Sequence, residues 1–304
     1  NGGTAMMRIL GIVGVQVCIC VPIIVFQFCK GKEFFSKEYW GYALRIGIPI
    51  VPHYLSGIIL NQGDRIMIDK MVGKTEVALY GLAYSIGMLV QLFISGMNSA
   101  LTPWMYSKIK KGDIRSMRKV LQLLSIVVVG IAVALMLISP ELVLIFGSPK
   151  YREAVYVIPP VAASVFFIFI YNILSMPQFY YEKTQFLMAA SMAAAGANVV
   201  LNFIFIRLFG YIAAGYTTLA CYMLYSVGHY IVSKRILVNE GIQENLMNPG
   251  FLVACSVFLI GASIICNLIF PYRILRYAIL LASAGLVFWK KELLLKTMAD
   301  IRKK

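Results

Sequence analysis

The sequence predicts an all-α fold, a polytopic transmembrane bundle of about nine spans. Three observations carry that prediction. The first is composition: of 304 residues, 60% are hydrophobic and 13% charged, with a mean hydropathy of +0.80. A water-soluble domain carries about 25% charged residues, so this chain has too little polar surface to cover a soluble body. The second is length. Apolar windows of about 20 residues, the length a helix needs to cross hydrocarbon, recur along the chain, and the short alternating segments of a membrane barrel are not seen. The third is the placement of charge. The net charge is +15, but the cations gather in particular connections. They therefore read as orientation signals and not as a nucleic-acid footprint.

The expected spans are 8–28, 41–62, 78–101, 120–139, 154–176, 184–206, 211–232, 250–270 and 272–289. Most connections are short and carry Gly, Pro or charge. Two are longer, 30–40 and 102–119, and the second is dense in Lys and Arg. Counting cations on alternate sides places eighteen on one face, including Lys108–Lys119 and the tail residues Lys290, Lys291, Lys296, Arg302, Lys303 and Lys304, and nine on the other. The positive-inside rule makes the richer face cytoplasmic, and the C-terminus with it. With nine spans the N-terminal end lies outside, so a chain that begins inside needs an odd number of earlier helices. The start at Asn1, without Met, fits the same expectation of a missing N-terminal part.

Six cysteines (Cys18, Cys20, Cys29, Cys221, Cys255, Cys266) lie in or beside apolar spans without paired metal spacing, so small buried residues are expected, with no metal and no cofactor. Pro22, Pro49, Pro52, Pro159 and Pro160 fall inside the expected spans. Breaks of this kind are tolerated at membrane depth where protein or a water-filled cavity satisfies the freed backbone groups. They also reflect the general frequency of proline in transmembrane helices.

Polar groups within spans are costly and therefore informative. Arg45 sits one turn into the second span, where its guanidinium suits a bidentate anion or a stem that snorkels to the interface. His53, Gly57, Asn61 and Asp64 follow i, i+4, i+8, i+11 and share one face. A stripe turned toward a cavity and a helix seam both produce that spacing. Asp64 and Arg65, followed by Asp69 and Lys70, read as an interfacial ion-pair cluster or as an outer gate. Tyr80 and Tyr84 share a face and read as a sugar-stacking pair or as part of an aromatic belt. Asn198 and Asn202, at i and i+4, read as an interhelical clasp or a sugar contact. The basic connection reads as a topology determinant that touches anionic lipid.

Several stretches carry a family resemblance. Arg45-Ile-Gly-Ile-Pro49, His53-Tyr-Leu-Ser56, Asn61-Gln-Gly-Asp64-Arg65-Ile-Met-Ile-Asp69, Gly73 and Tyr80-Gly-Leu-Ala-Tyr84 together resemble the start of the second lobe of polysaccharide flippases, in the multidrug/oligosaccharidyl-lipid/polysaccharide exporter superfamily. Ser139-Pro140-Glu141, Phe146-Gly147 and Tyr151-Arg-Glu-Ala154 are similar to a later connection in that lobe. Tyr181-Glu182-Lys183-Thr184, Asn198, Asn202 and Phe209-Gly210-Tyr-Ile-Ala-Ala-Gly215 continue the similarity in order. The resemblance spans residues 45–230. It implies two six-helix lobes plus two extra C-terminal helices. Residues 1–29 would then hold the last helix of the first lobe, 30–40 a cytoplasmic link, 41–232 the second lobe, and 233–304 the extra helices and basic tail. Five helices would be missing, an odd number, as the cation count requires.

The implied function is transport, not catalysis: movement of a lipid-linked oligosaccharide (a prenyl diphosphate sugar) across the inner (plasma) membrane, with membrane lipids as the other partner. Its path candidates are Arg45, His53, Asn61, Asp64, Arg65, Tyr80, Tyr84, Asn198 and Asn202. No nucleic-acid partner is expected, and the sequence names no coupling ion. A drug or small-cation exporter of the same superfamily needs deep carboxylates, which the expected spans lack. A membrane-embedded glycosyl- or acyltransferase needs clustered acids or histidines at one face, and the chain has only His53 and His229. The orientation is directly testable. A Ser107→Cys protein in intact cells should be protected from an impermeant thiol reagent and react only after permeabilisation. Labelling from outside would reverse the assignment.

Overall fold

The computed structural model describes residues 2–32 and 35–289. Every regular element among them is helical. The order is α1 (Gly2–Gly31), α2 (Lys37–Met71), α3 (Lys74–Gly87), α4 (Leu89–Lys110), α5 (Ile114–Phe146), a 3-10 segment (Pro149–Val157), α6 (Ile158–Tyr180), α7 (Thr184–Phe209), α8 (Ala213–Asn239), α9 (Pro249–Ile269) and α10 (Arg273–Trp289). Only Met88 separates α3 from α4, and together they form one membrane-length rod, Lys74–Lys110. Each expected span thus corresponds to one rod. Among the described residues, seven rods are long and apolar enough to cross a membrane. The other two are α8, whose tyrosines, threonines and His229 lower its hydropathy, and α10, which at 17 residues is about 25 Å long against a core of about 30 Å. The tail cations Lys290, Lys291, Lys296, Arg302, Lys303 and Lys304, and the side chain of Arg8, lie outside the described residues.

The helices outrun the apolar windows. Hydropathy marks the part of a rod that meets hydrocarbon, whereas backbone hydrogen bonding continues into the interface. The basic connection expected at 102–119 is accordingly two helix ends around a tight turn, with Gly112 at φ +68°. Asp113 caps α5 by accepting from the Ser116 amide at 3.3 Å and takes the Lys108 ammonium at 2.7 Å. Arg115 and Arg118 reach Glu244, and Arg118 donates to the Asn245 carbonyl at 2.7 Å. The α4–α5 and α8–α9 connections thus share one end of the bundle, as alternating spans require.

The chain divides into two units, one ending at Ile48 and the other beginning at Pro49. The first holds α1, whose described side chains from Leu10 to Gly31 are exposed, and the opening turns of α2. The second is organised on α6. This helix is apolar over most of its surface and buried over most of its length, the expected state of a rod with little polar face. It packs most extensively on α8 and also on α4, α5, α7 and α9. Small residues allow the closest approaches, as in other membrane bundles. A methyl group at Gly87 would come within 2.7 Å of Val161, and one at Gly215 within 3.1 Å of Pro160.

Proline placement differs in part from expectation. Pro22, Pro49 and Pro52 are inside helices. Pro159 and Pro160 instead open α6, where their missing donors would have had no intrahelical partner. Pro140, expected at a span end, lies inside α5 and frees carbonyls one turn back. Ser139 Oγ donates to the Met136 carbonyl at 2.7 Å, and Arg276 Nη1 donates to that of Leu137 at 2.6 Å. The same guanidinium holds Glu141 through two 2.8 Å bonds, and the Tyr277 hydroxyl adds a third at 3.0 Å. One arginine from α10 thus closes the break in α5. Arg276→Ala should lower stability by about 1–3 kcal/mol, because it leaves the Leu137 carbonyl and a partly buried carboxylate without their donor. Arg276→Lys should recover only part, since it loses the planar fork. Thermal unfolding in detergent measures both, and an unchanged midpoint for the alanine variant would refute the clamp.

Candidate functional site

The chamber and the buried polar cluster around Asp64 lie within the unit that begins at Pro49. The polar face of α2 meets a matching face on α8, where Thr218, Tyr222, Tyr225 and His229 recur at i, i+4, i+7 and i+11. Between them, and bounded by α6, is a cavity of about 450 Å³. His53, Tyr54, Gly57 and Asn61 line it from α2, Tyr171, Asn172, Ser175 and Phe179 from α6, and Tyr222 and Tyr225 from α8. Among the described residues, no Asp, Glu, Lys or Arg lines this chamber.

Hydrogen bonds hold most of its wall. Ser191 of α7 donates to the Leu187 carbonyl at 2.6 Å. Its oxygen then accepts from His53 Nδ1 at 2.5 Å and lies 2.8 Å from the Tyr225 hydroxyl. In the neutral ring this accounting puts the proton on Nδ1 and leaves Nε2 an acceptor. Asn61 donates to the Gly57 carbonyl at 2.7 Å and accepts from Tyr84 at 2.7 Å and Tyr222 at 3.3 Å. Tyr171 lies parallel to Tyr222 and meets Tyr225 at a ring separation of 4.5 Å. Below it, His229 Nδ1 pairs with Gln178 at 2.7 Å.

Asp64 has a different setting. It is fully buried and pairs with neutral donors only. Oδ2 accepts from Tyr80 at 2.5 Å and Thr218 at 2.7 Å, and Oδ1 from Asn202 at 2.7 Å. Asn202 also donates to Asn198 at 3.1 Å and accepts from Thr217. This knot joins α2, α3, α7 and α8. α2 continues to Met71, past the expected limit at 62, so Asp64 sits inside the helix and is enclosed by its neighbours. Glu141, inside α5, differs: it is partly exposed and paired with Arg276.

The nine candidates therefore fall into groups. His53 and Asn61 line the chamber, with Tyr84 bonded behind Asn61. Asp64, Tyr80, Asn198 and Asn202 form the knot. Arg65 forms no ion pair with Asp64 among the described residues. It donates to Gln62 at 2.8 Å, and its guanidinium lies 5.0 Å from the Tyr84 ring centre. Asp69 and Lys70 are exposed at the end of α2. Arg45 is exposed in the N-terminal unit. Sequence reasoning did not single out Tyr171, Asn172, Thr218, Tyr222, Tyr225 or His229. The α8 stripe, at i, i+4, i+7 and i+11, marks one helical face just as the i, i+4, i+8, i+11 stripe of α2 does, and could have been found by the same reasoning.

Comparison with known proteins gives this geometry a context. Residues 6–110 match the family described as polysaccharide biosynthesis protein. The chain is similar there to polysaccharide biosynthesis membrane proteins. A Haemophilus influenzae protein named for the Lsg locus is 28% identical over 172 residues, 53% of this chain and 41% of its own length. A protein of the same organism named an uncharacterized membrane protein is 29% identical over 191 residues, 59% of this chain and 46% of its own. The chain thus spans less than half the length of these curated relatives. No solved structure matches.

The knot makes a stability prediction. Asp64→Ala leaves the Tyr80, Thr218 and Asn202 donors buried without an acceptor, at about 1–3 kcal/mol for each group. Its unfolding midpoint in detergent should fall well below that of Thr218→Val, which removes a single donor. Equal midpoints for Asp64→Ala and the unaltered protein would count against the knot.

Proposed function

We propose that this chain forms the second lobe of a two-lobe exporter, together with the last helix of the first lobe and two C-terminal helices. The whole protein moves a lipid-linked oligosaccharide or polysaccharide precursor from the cytoplasmic to the outer leaflet of the inner membrane by alternating access. The observation that carries this reading is the chamber, a polar, aromatic-walled space within a bundle that otherwise turns apolar surface outward. Such a space suits a hydroxyl-rich head group, while the prenyl tail remains in lipid. The match of residues 6–110 to polysaccharide biosynthesis proteins supports the same substrate class. Transport of this kind requires no nucleophile or acid–base pair.

The rival within transport is a small-cation or drug exporter, and the buried Asp64 is the observation in its favour. A bound organic cation would need that carboxylate facing the chamber. Asp64 is instead enclosed, with donors on both oxygens. A transferase would need a catalytic cluster at one membrane face. His53 and His229 are separately committed to Ser191 and Gln178.

In this reading Arg45 holds the diphosphate. Arg45→Ala in the full-length protein should lower export of the lipid-linked sugar about tenfold or more, the scale of a lost charge-assisted hydrogen bond. Arg45→Lys should restore part, since the charge remains without the bidentate fork. Export is read as accumulation of the lipid-linked sugar in the outer leaflet. Full export by the alanine variant would remove Arg45 from the path.

A further inference from the structure

We propose that the chamber is a subsite for an uncharged sugar ring, selected by Asn172, Tyr171 and His53, and that it binds neither the diphosphate nor an acidic sugar. The proposal rests on the exporter reading and assigns one part of the substrate to one place.

The first argument is charge. A phosphate or carboxylate taken out of water needs a cation or several converging donors. The chamber is lined by no Lys or Arg. The nearby Arg65 is held against Gln62 and the Tyr84 face. An anion inside would leave its charge unpaired, whereas a neutral ring carries no such cost.

The second argument separates occupied from unoccupied polar groups. Asn61, Tyr222 and Ser175 spend their side chains on internal bonds. Among the described residues, the Asn172 amide and the Tyr171 hydroxyl have no hydrogen-bond partner, and His53 uses only Nδ1. Among the more exposed lining residues, Tyr54 adds a hydroxyl and Gln62, which accepts from Arg65, adds an amide NH2; the part-buried set is one amide that donates and accepts, one hydroxyl, and one imidazole acceptor. A sugar hydroxyl both donates and accepts, so this set fits adjacent hydroxyls on one ring. Tyr54, Tyr171 and Phe179 supply the apolar walls for the ring's C–H faces. The volume of about 450 Å³ lies within the range of small-ligand pockets. Site groups left unpaired by a wrong ligand are what give such a pocket its selectivity.

The test uses the full-length natural protein in lipid nanodiscs and three probes. These are a prenyl diphosphate, the same lipid carrying one glucose or one galactose, and the same lipid carrying one glucuronate. A neutral sugar should raise affinity about tenfold over the bare lipid, the equivalent of 1.4 kcal/mol, and glucuronate should add nothing. Asn172→Ala and Tyr171→Phe should each erase most of the neutral-sugar increment and leave bare-lipid affinity intact, which also shows that the variants fold. Asn172→Lys should transfer the preference to the glucuronate lipid. No increment for either neutral sugar in the unaltered protein, or an increment that survives both variants, overturns the subsite and leaves the exporter reading standing. Binding of none of the three lipids overturns the exporter reading, and the subsite with it.

Discussion

Inside hydrocarbon a polar group has no water to turn to, and this constraint organises the second unit. Each unpaired group there costs kilocalories, which favours partners on other helices. The partners it finds are what fix the helices in place. Asp64 shows this most fully. Its two oxygens need donors, and those donors come from α3, α7 and α8. Apolar packing alone would leave these helices free to rotate or slide, because lipid chains are as apolar as leucine. The hydrogen bonds remove that freedom. The Arg276 clamp acts in the same way at the other broken point, where a proline exposes carbonyls and an arginine from α10 answers them.

That constraint also makes uncommitted groups informative. In a soluble protein, a free amide at a cavity wall is unremarked, since water reaches it everywhere. In a membrane bundle, the Asn172 amide and the Tyr171 hydroxyl cost least where the chamber admits something polar, water or ligand. The contrast is local and sharp. Asn61 and Asp64 are one turn apart on α2, but Asp64 is sealed by donors while Asn61 borders open space. One helical face thus serves as a seam at one level and as a wall at the next.

Much of the fold was legible because hydrophobicity reports the solvent directly. Nine apolar windows gave nine rods, and their order follows from the chain. Helix ends were less legible. The residues from Gly63 to Met71 and from Thr102 to Lys119 are polar enough to read as connections, yet their backbones are helical apart from the turn at Lys111–Asp113. That difference hid the enclosure of Asp64. The α2 half of the site was visible from spacing alone, since His53, Gly57, Asn61 and Asp64 mark one face of a helix. The α6 half was not. Tyr171 and Asn172 interrupt a run of apolar residues that faces neighbours on every side, and only three-dimensional packing shows which of them meets a cavity. Nor could the sequence show whether Asp64 pairs with Arg65 beside it or with Asn202, which is 138 positions away.

In the exporter proposed above, the arrangement separates two demands that a carrier must meet. One part has to keep its shape while substrate enters and leaves, and another has to exchange partners. The knot meets the first demand. Its donors and acceptors are nearly all used, and opening it would leave several buried groups unsatisfied at once. The chamber meets the second, because its free groups lose nothing when water gives way to a hydroxyl. A neutral hydroxyl is well suited to that exchange. It replaces water donor for donor and acceptor for acceptor, so it can be bound without a deep well and released without a large barrier. A charge held in the same place would be bound too poorly or released too slowly. The absence of charge from the chamber wall is therefore a positive feature of the site, consistent with a path through which a sugar passes and does not stay.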